Sequence, residues 1–126
     1  MATHNELGKW GEQVACELLI SRGYVIRETN WRLNHLEVDI IAYEEKTNIL
    51  HIVEVKTRAT AIHFNPLEAI NRQKQQNLIN AANGYIRYYQ LRCNIQYDAI
   101  IVVGKPGFYK VNYIPKAFQP RLRTYR

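Results

Sequence analysis

Carboxylates stand inside two apolar, strand-like runs: Leu36-Glu37-Val38-Asp39-Ile40-Ile41-Ala42 and Ile52-Val53-Glu54-Val55-Lys56. Alternation along a strand sends every second side chain to one face. In the first run that groups Glu37, Asp39 and Ile41, with Val38 and Ile40 opposite. In the second it groups Ile52, Glu54 and Lys56, with Val53 and Val55 opposite. A carboxylate in an apolar strand is costly unless it is paired or holds a cation. If the two strands are neighbours, Asp39, Glu54 and Lys56 meet over one small site. Two carboxylates and an ammonium suit a hard divalent metal and a phosphodiester. The plainer alternative for the same three residues is a structural ion-pair cluster at a sheet edge.

The elements that would position them follow from periodicity. Asn5 to Arg22 reads as a helix: Thr3 and Glu6 resemble a capping box, Leu7, Trp10, Val14 and Leu18 form a stripe, and Gly23 suits the stop. Tyr24 to Glu28 is a short strand, and Thr29 to His35 is a connection or an irregular strand end. Glu44-Glu45-Lys46-Thr47-Asn48 is a polar loop of hairpin length, which makes the two acidic strands antiparallel neighbours. Thr57 to Asn65 has no period and reads as a loop. Asn65-Pro66-Leu67-Glu68 carries the signals of a helix start, and Leu67, Ile70, Leu78, Ala81 and Tyr85 give that helix its apolar stripe. Lys74 falls within the stripe, either snorkelling to solvent or turned back towards the site. Tyr97 to Val103 and Phe108 to Tyr113 form a second hairpin around Gly104-Lys105-Pro106-Gly107. The order predicts an α/β fold, a mixed sheet with helices packed on it.

The chain has 126 residues, enough for one domain with its own core. We place that domain at residues 1–115 and a basic tail at 116–126, where Lys116, Arg121, Arg123 and Arg126 stand without an acid. A net charge of +6 favours a polyanionic partner, nucleic acid or an anionic surface. Cys16 and Cys93 form no metal-ligand spacing with the histidines, which argues against zinc. Two thiols without an export signal suit a reducing, cytoplasmic setting, and no apolar run is long enough to span a bilayer. His35, His51 and His63 are expected in ordinary surface or loop roles. Tyr85, Tyr88 and Tyr89 suit helix packing, with base stacking as the alternative.

The spacing from Asp39 to Glu54-Val55-Lys56 resembles the PD-(D/E)xK nuclease core. Its context is more specific: Gly8-Lys9-Trp10-Gly11-Glu12, Asn30-Trp31-Arg32, Glu37-Val38-Asp39-Ile40-Ile41-Ala42, Val53-Glu54-Val55-Lys56-Thr57-Arg58, Lys74 and Tyr97-Asp98 occur in that order. Over residues 7–115 the chain resembles the bacterial YraN family of small predicted endonucleases, which is similar to archaeal Holliday junction resolvases. Where that family usually has glycine before the Glu-x-Asp pair, this chain has Leu36. The resemblance implies a restriction-endonuclease-like fold and a metal-dependent DNA endonuclease, with branched DNA among the candidate substrates. It implies Mg²⁺ or Mn²⁺ held by Asp39, Glu54, the Val55 carbonyl and Glu12, with Lys56 positioning the attacking water. It further implies a symmetric homodimer. Arg32, Arg58 and Lys74 are the candidate phosphate contacts, and Glu37 is expected at the rim in a salt bridge. The rival class is a nucleic-acid-binding or scaffold protein that keeps the fold without turnover.

Overall fold

The computed structural model describes residues 4–61, 65 and 70–120. Seven elements follow in order: α1 (His4–Ser21), β1 (Val25–Leu33), β2 (Leu36–Glu44), β3 (Ile49–Arg58), α2 (Arg72–Tyr89), β4 (Asn94–Lys105) and β5 (Phe108–Phe118). The strands form one sheet in the order β1-β2-β3-β4-β5. β3 and β4 run parallel, joined through α2, and every other neighbour pair is antiparallel. Parallel neighbours need a long crossover, which the stretch containing α2 provides. The α/β class with a mixed sheet flanked by helices is thus what the chain adopts, consistent with the restriction-endonuclease type. Among the described residues no helix is long and apolar enough to cross a membrane.

Each face of the sheet carries one helix. Val14, Ala15 and Leu19 of α1 pack with Ile40, Ala42, Val53, Val55, Ile100 and Val102. Leu78, Ala81, Ala82 and Tyr85 of α2 pack on the other face with Val38, Ile41, Leu50, Ile52, Tyr97 and Ala99. β3 is therefore covered on both sides, which is why its middle reads as a nearly unbroken apolar run. Truncating a wholly buried side chain such as Leu78 to Ala costs about 2–5 kcal/mol.

Several boundaries differ from expectation. β1 continues through Leu33, and a tight turn at Asn34-His35 brings in β2, so residues 29–33 are strand; Asn34 has φ 56°. Thr57 and Arg58 belong to β3, held by the parallel ladder to Val102 and Val103. The second helix begins at Arg72: Asn71 is extended at ψ 175°, and its side chain accepts from the Lys74 amide. The start expected at Asn65-Pro66 is thus not continuous with α2, and Pro66, Leu67 and Glu68 lie outside the described residues. Thr3, His63 and Arg121 to Arg126 lie outside them as well. β5 continues to Phe118 and includes Lys116, so the sheet runs past the boundary drawn at residue 115. Gly84 faces the tip of the Leu33 side chain across the α2 packing layer.

Candidate metal and phosphodiester site

Asp39 marks the place where β2 leaves its neighbours. Thr29↔Ile40 and Trp31↔Val38 flank it on the β1 side, and pairing with β3 begins only at Ile40↔Val53. The expected alternation breaks there. Val38 packs with Ile41 on the α2 face, whereas Ile40 packs with Ala42 on the α1 face. The Asp39 carboxylate substitutes for a backbone acceptor: the Val55 amide donates to its Oδ2 at 2.8 Å. That bond fixes Asp39 against the Glu54-Val55-Lys56 segment.

Glu54 is 3% exposed. Burial, then the nearby Asp39 carboxylate, pushes its carboxyl up to about 8, with Lys74 acting in the opposite direction. Lys74 Nζ lies 3.2 Å from Glu54 Oε2. The ammonium is close but badly aligned, and among the described residues Oε2 receives no hydrogen bond. Lys74 therefore turns back to the site rather than away from it, carried there by the first turn of α2.

Glu12 reaches the same region from α1. Gly11 packs so tightly on β3 that a Cβ would sit 1.8 Å from Thr57 Oγ1. Only glycine allows that approach, which places Glu12 at the sheet end. Asn30 of β1, at φ 50°, donates from Nδ2 to Glu12 Oε2 at 3.0 Å. Asparagine tolerates this left-handed backbone better than most residues. Burial raises the Glu12 carboxyl above its ordinary value; the Asn30 amide opposes the shift, and the charges of Asp39 and Glu37 add to it.

Lys56 is two residues beyond Glu54 on β3, half-buried, and without an ion pair among the described residues. Arg58 is exposed at the strand end and donates to the Thr57 carbonyl at 2.9 Å. Arg32 pairs with Glu37 at 3.3 Å on the rim, so Glu37 has the salt-bridge role expected of it. Leu36 pairs with Leu33 across the tight turn and packs at the edge of the α2-side core. The structure thus gathers Glu12, Asp39, Glu54 and Lys74 around one sheet end, with Lys56 and Arg58 following along β3. The Glu54 partner is Lys74, not Lys56. Among the described residues no three His, Cys, Asp or Glu side chains form a ready-made metal cage.

Sequence reasoning missed Asn30 as the residue that holds Glu12. It also misplaced His51, which is 1% exposed on the α1 face rather than at the surface. His51 Nδ1 is 2.7 Å from Asp98 Oδ2, and Nε2 is 3.0 Å from Glu44 Oε1. Asp98 also accepts from Tyr113 Oη at 2.6 Å, Gln96 Nε2 at 2.9 Å and the Lys116 amide at 3.0 Å. Tyr24 stacks on the His51 ring at 4.5 Å. Burial disfavours the imidazolium, but the bonds to Asp98 and Glu44 outweigh it and hold the ring above its ordinary value. The available signal was a histidine inside the apolar run Ile49-Leu50-His51-Ile52, which needs a buried acid. Cys16 and Cys93 are free thiols on opposite faces of the sheet. Tyr85 is buried, donating to Glu28 and accepting from Arg27, in line with a packing role.

Comparison with known proteins gives a consistent family. The model for "Uncharacterised protein family UPF0102" matches residues 11–102. A UPF0102 protein of Bacteroides thetaiotaomicron is 43% identical over 122 residues, covering 97% of this chain and 99% of the relative. One from Flavobacterium psychrophilum is 42% identical over 118 residues, 94% of this chain and 98% of the relative. One from Parabacteroides distasonis is 34% identical over 118 residues, 94% and 96% of the two chains. The matched span contains Glu12, Asp39, Glu54, Lys56 and Lys74 together, and the chain belongs to the UPF0102 family.

Proposed function

We propose that this chain is a metal-dependent endonuclease that cuts DNA at the sheet end formed by Asp39, Glu54 and Lys56. The observation that carries the reading is the Asp39–Glu54 pair. Two carboxyl groups, Glu54 buried and Asp39 half-buried, are held together, and Lys74 is the one cation of the described residues within ion-pair reach of Glu54. Like charges gathered out of water are costly without a cation. The donor set is all hard oxygen, which fits Mg²⁺ or Mn²⁺ and not zinc. Magnesium commonly takes only one or two carboxylates and keeps several waters, so a full protein cage is not required.

In this reading Asp39 and Glu54 would hold the ion, with the Val55 carbonyl and Glu12 as further oxygen donors. The metal supplies Lewis-acid stabilisation of a phosphoryl oxygen and lowers the pKa of bound water. Lys56 sets a positive charge beside the scissile phosphate and orients the attacking water. Glu12, held by Asn30, would join the site from the α1 side. Lys74 balances Glu54 before the ion arrives. Arg58 and Lys56 supply positive charge for the polyanionic strand along the end of β3. A symmetric homodimer would present two such sites to a two-stranded substrate.

One observation favours the non-catalytic rival: a cation of the chain itself, Lys74 Nζ, already stands 3.2 Å from the buried Glu54. The test is a panel of labelled linear, flap, fork and four-way DNA with Mn²⁺ or chelator, run beside Asp39→Asn and Glu54→Gln. Metal-dependent cutting that both variants lose supports the nuclease. Binding without cutting, unchanged in both variants, supports the scaffold.

A further inference from the structure

The β4–β5 hairpin carries a surface that the reading above leaves unused. It stands at the same end of the sheet as Lys56 and Arg58. Across the strands Arg58 aligns with Val103, and Val103 with Lys110. Two strand spacings separate Arg58 from Lys110, about 10 Å. Glu54 lies four residues back along β3, about 13 Å from Arg58. Lys56, Arg58, Lys110 and Lys105 therefore form a cationic track from the carboxylates to the hairpin tip. Among the described residues neither Lys105 nor Lys110 has a carboxylate within ion-pair reach.

At the tip, Phe108 is 78% exposed and Tyr109 is 44% exposed. The turn holding them is closely packed at Gly104. Gly104 has φ 131°, and a Cβ there would meet the Phe108 carbonyl oxygen at 2.4 Å and Tyr109 Cα at 2.7 Å. Tyr109 points to the α1 face, where Trp10 packs on it edge-on with ring centroids 5.2 Å apart, and Phe108 points to the opposite face with Lys105 and Lys110. Beside Phe108 a cleft of about 550 Å³ is lined by Ala59, Val103, Gly104, Lys105, Tyr109 and Lys110. Its charged lining residues are both lysines. Phe108, exposed on the same face as Lys105, Lys110 and Arg58 and continuous with a phosphodiester site, matches the chemistry of an unpaired nucleotide. Its base stacks on a ring while its phosphates meet lysines. Tyr88 and Tyr89 on α2 are exposed too, but they lie beyond the opposite end of the strands.

We infer that Phe108, with Lys105 and Lys110 on the same face of the hairpin, binds unpaired nucleotides of the strand entering the Asp39–Glu54 site. The substrate is then nucleic acid with an unpaired arm beside the cut, not a continuous duplex. This rests on the nuclease reading for the choice of polymer, but the contact itself needs no metal and no turnover.

The test measures binding in chelator by fluorescence anisotropy. The probes are a blunt duplex and the same duplex with an unpaired oligothymidylate arm. Wild type is expected to prefer the armed probe. Phe108→Ala should weaken armed-probe binding about tenfold and leave blunt-duplex binding unchanged. Lys105→Gln with Lys110→Gln should weaken both probes and reduce the salt slope by about two. Phe108 is mostly solvent-facing, so equal melting temperatures are expected and serve as the folding control. Equal affinity of wild type and Phe108→Ala for the armed probe overturns the inference. So does a Phe108→Ala protein that changes its self-association and not its DNA binding, which would make the hairpin a protein interface. A protein that never cuts but loses arm preference with Phe108 supports the inference and sinks the nuclease reading. A protein that cuts blunt duplex, indifferent to Phe108, does the reverse.

Discussion

Replacing His51 by Gln should destabilise the protein in a way that depends on pH. Both ring nitrogens face carboxylates, 2.7 Å from Asp98 and 3.0 Å from Glu44, so the doubly donating imidazolium is the form that satisfies both. Asp98 is fully buried. Removing one partner of a buried charged pair costs about 3–5 kcal/mol. The lower figure applies here, because Asp98 keeps its bonds from Tyr113, Gln96 and the Lys116 amide. A loss of about 3 kcal/mol lowers the melting midpoint of a domain this size by about 10 °C. The folded ring holds its proton above the ordinary imidazole value of 6.5. Its contribution is therefore complete below 6.5 and is lost as pH rises through the folded value. Asp98 and Glu44 are shifted the other way: burial works against Asp98, but hydrogen bonds led by His51 hold it low, and the His51 bond does the same for Glu44. Their contributions are present above the ordinary carboxylate range and vanish on acidification. Other groups facing the ring region are Tyr24 and Tyr113, whose hydroxyls titrate above their ordinary range, and Arg22, whose guanidinium stands over the Tyr113 ring. Urea denaturation of wild type and His51→Gln at about pH 6 and about pH 9 measures the gap between them. The gap should be wide at the lower pH and narrow at the higher. A gap of constant size would refute the charged-network account.

Asp39→Ala and Glu54→Gln should differ in metal-free buffer. The first strands the Val55 amide and costs about 1–3 kcal/mol, whereas the second relieves a buried charge and melts no lower than wild type at alkaline pH. Equal losses in both would mean that Glu54 is a purely structural partner. Because Glu54 holds its proton to about 8, Mn²⁺ affinity should climb as pH rises towards that value and then level, which calorimetry in buffers of different ionisation enthalpy can read as proton release. Lys56→Met should keep metal and DNA binding while slowing cleavage on the order of 100-fold, and a wild-type rate would remove Lys56 from the chemistry. Light scattering on DNA should give a dimer, and a monomer at all working concentrations would remove the two-fold arrangement.

Much of this was legible because strands and hairpins announce themselves locally. The polar loop 44–48 between two apolar runs predicts antiparallel neighbours, which is how β2 and β3 pair. The site residues were legible for a related reason: acids in apolar strands are conspicuous. What was not legible depends on tertiary geometry. Strict alternation hid the break at Asp39, where a side chain replaces a ladder acceptor. The start expected at Asn65 differs from the observed one, where the Asn71 side chain caps α2. The burial of His51 is hidden from local sequence because its acids, Asp98 and Glu44, come from a distant strand and the far end of the hairpin. Lys74 had two plausible directions until α2 was docked on the sheet.

The most direct test of the central claim is cleavage of the labelled DNA panel in Mn²⁺ and in chelator, by wild type, Asp39→Asn and Glu54→Gln. Cutting of at least one DNA by wild type, only with metal and in neither variant, is the predicted result. If every DNA stays intact with wild type at saturating Mn²⁺, or the variants cut as it does, Asp39 and Glu54 are not the site of phosphodiester hydrolysis.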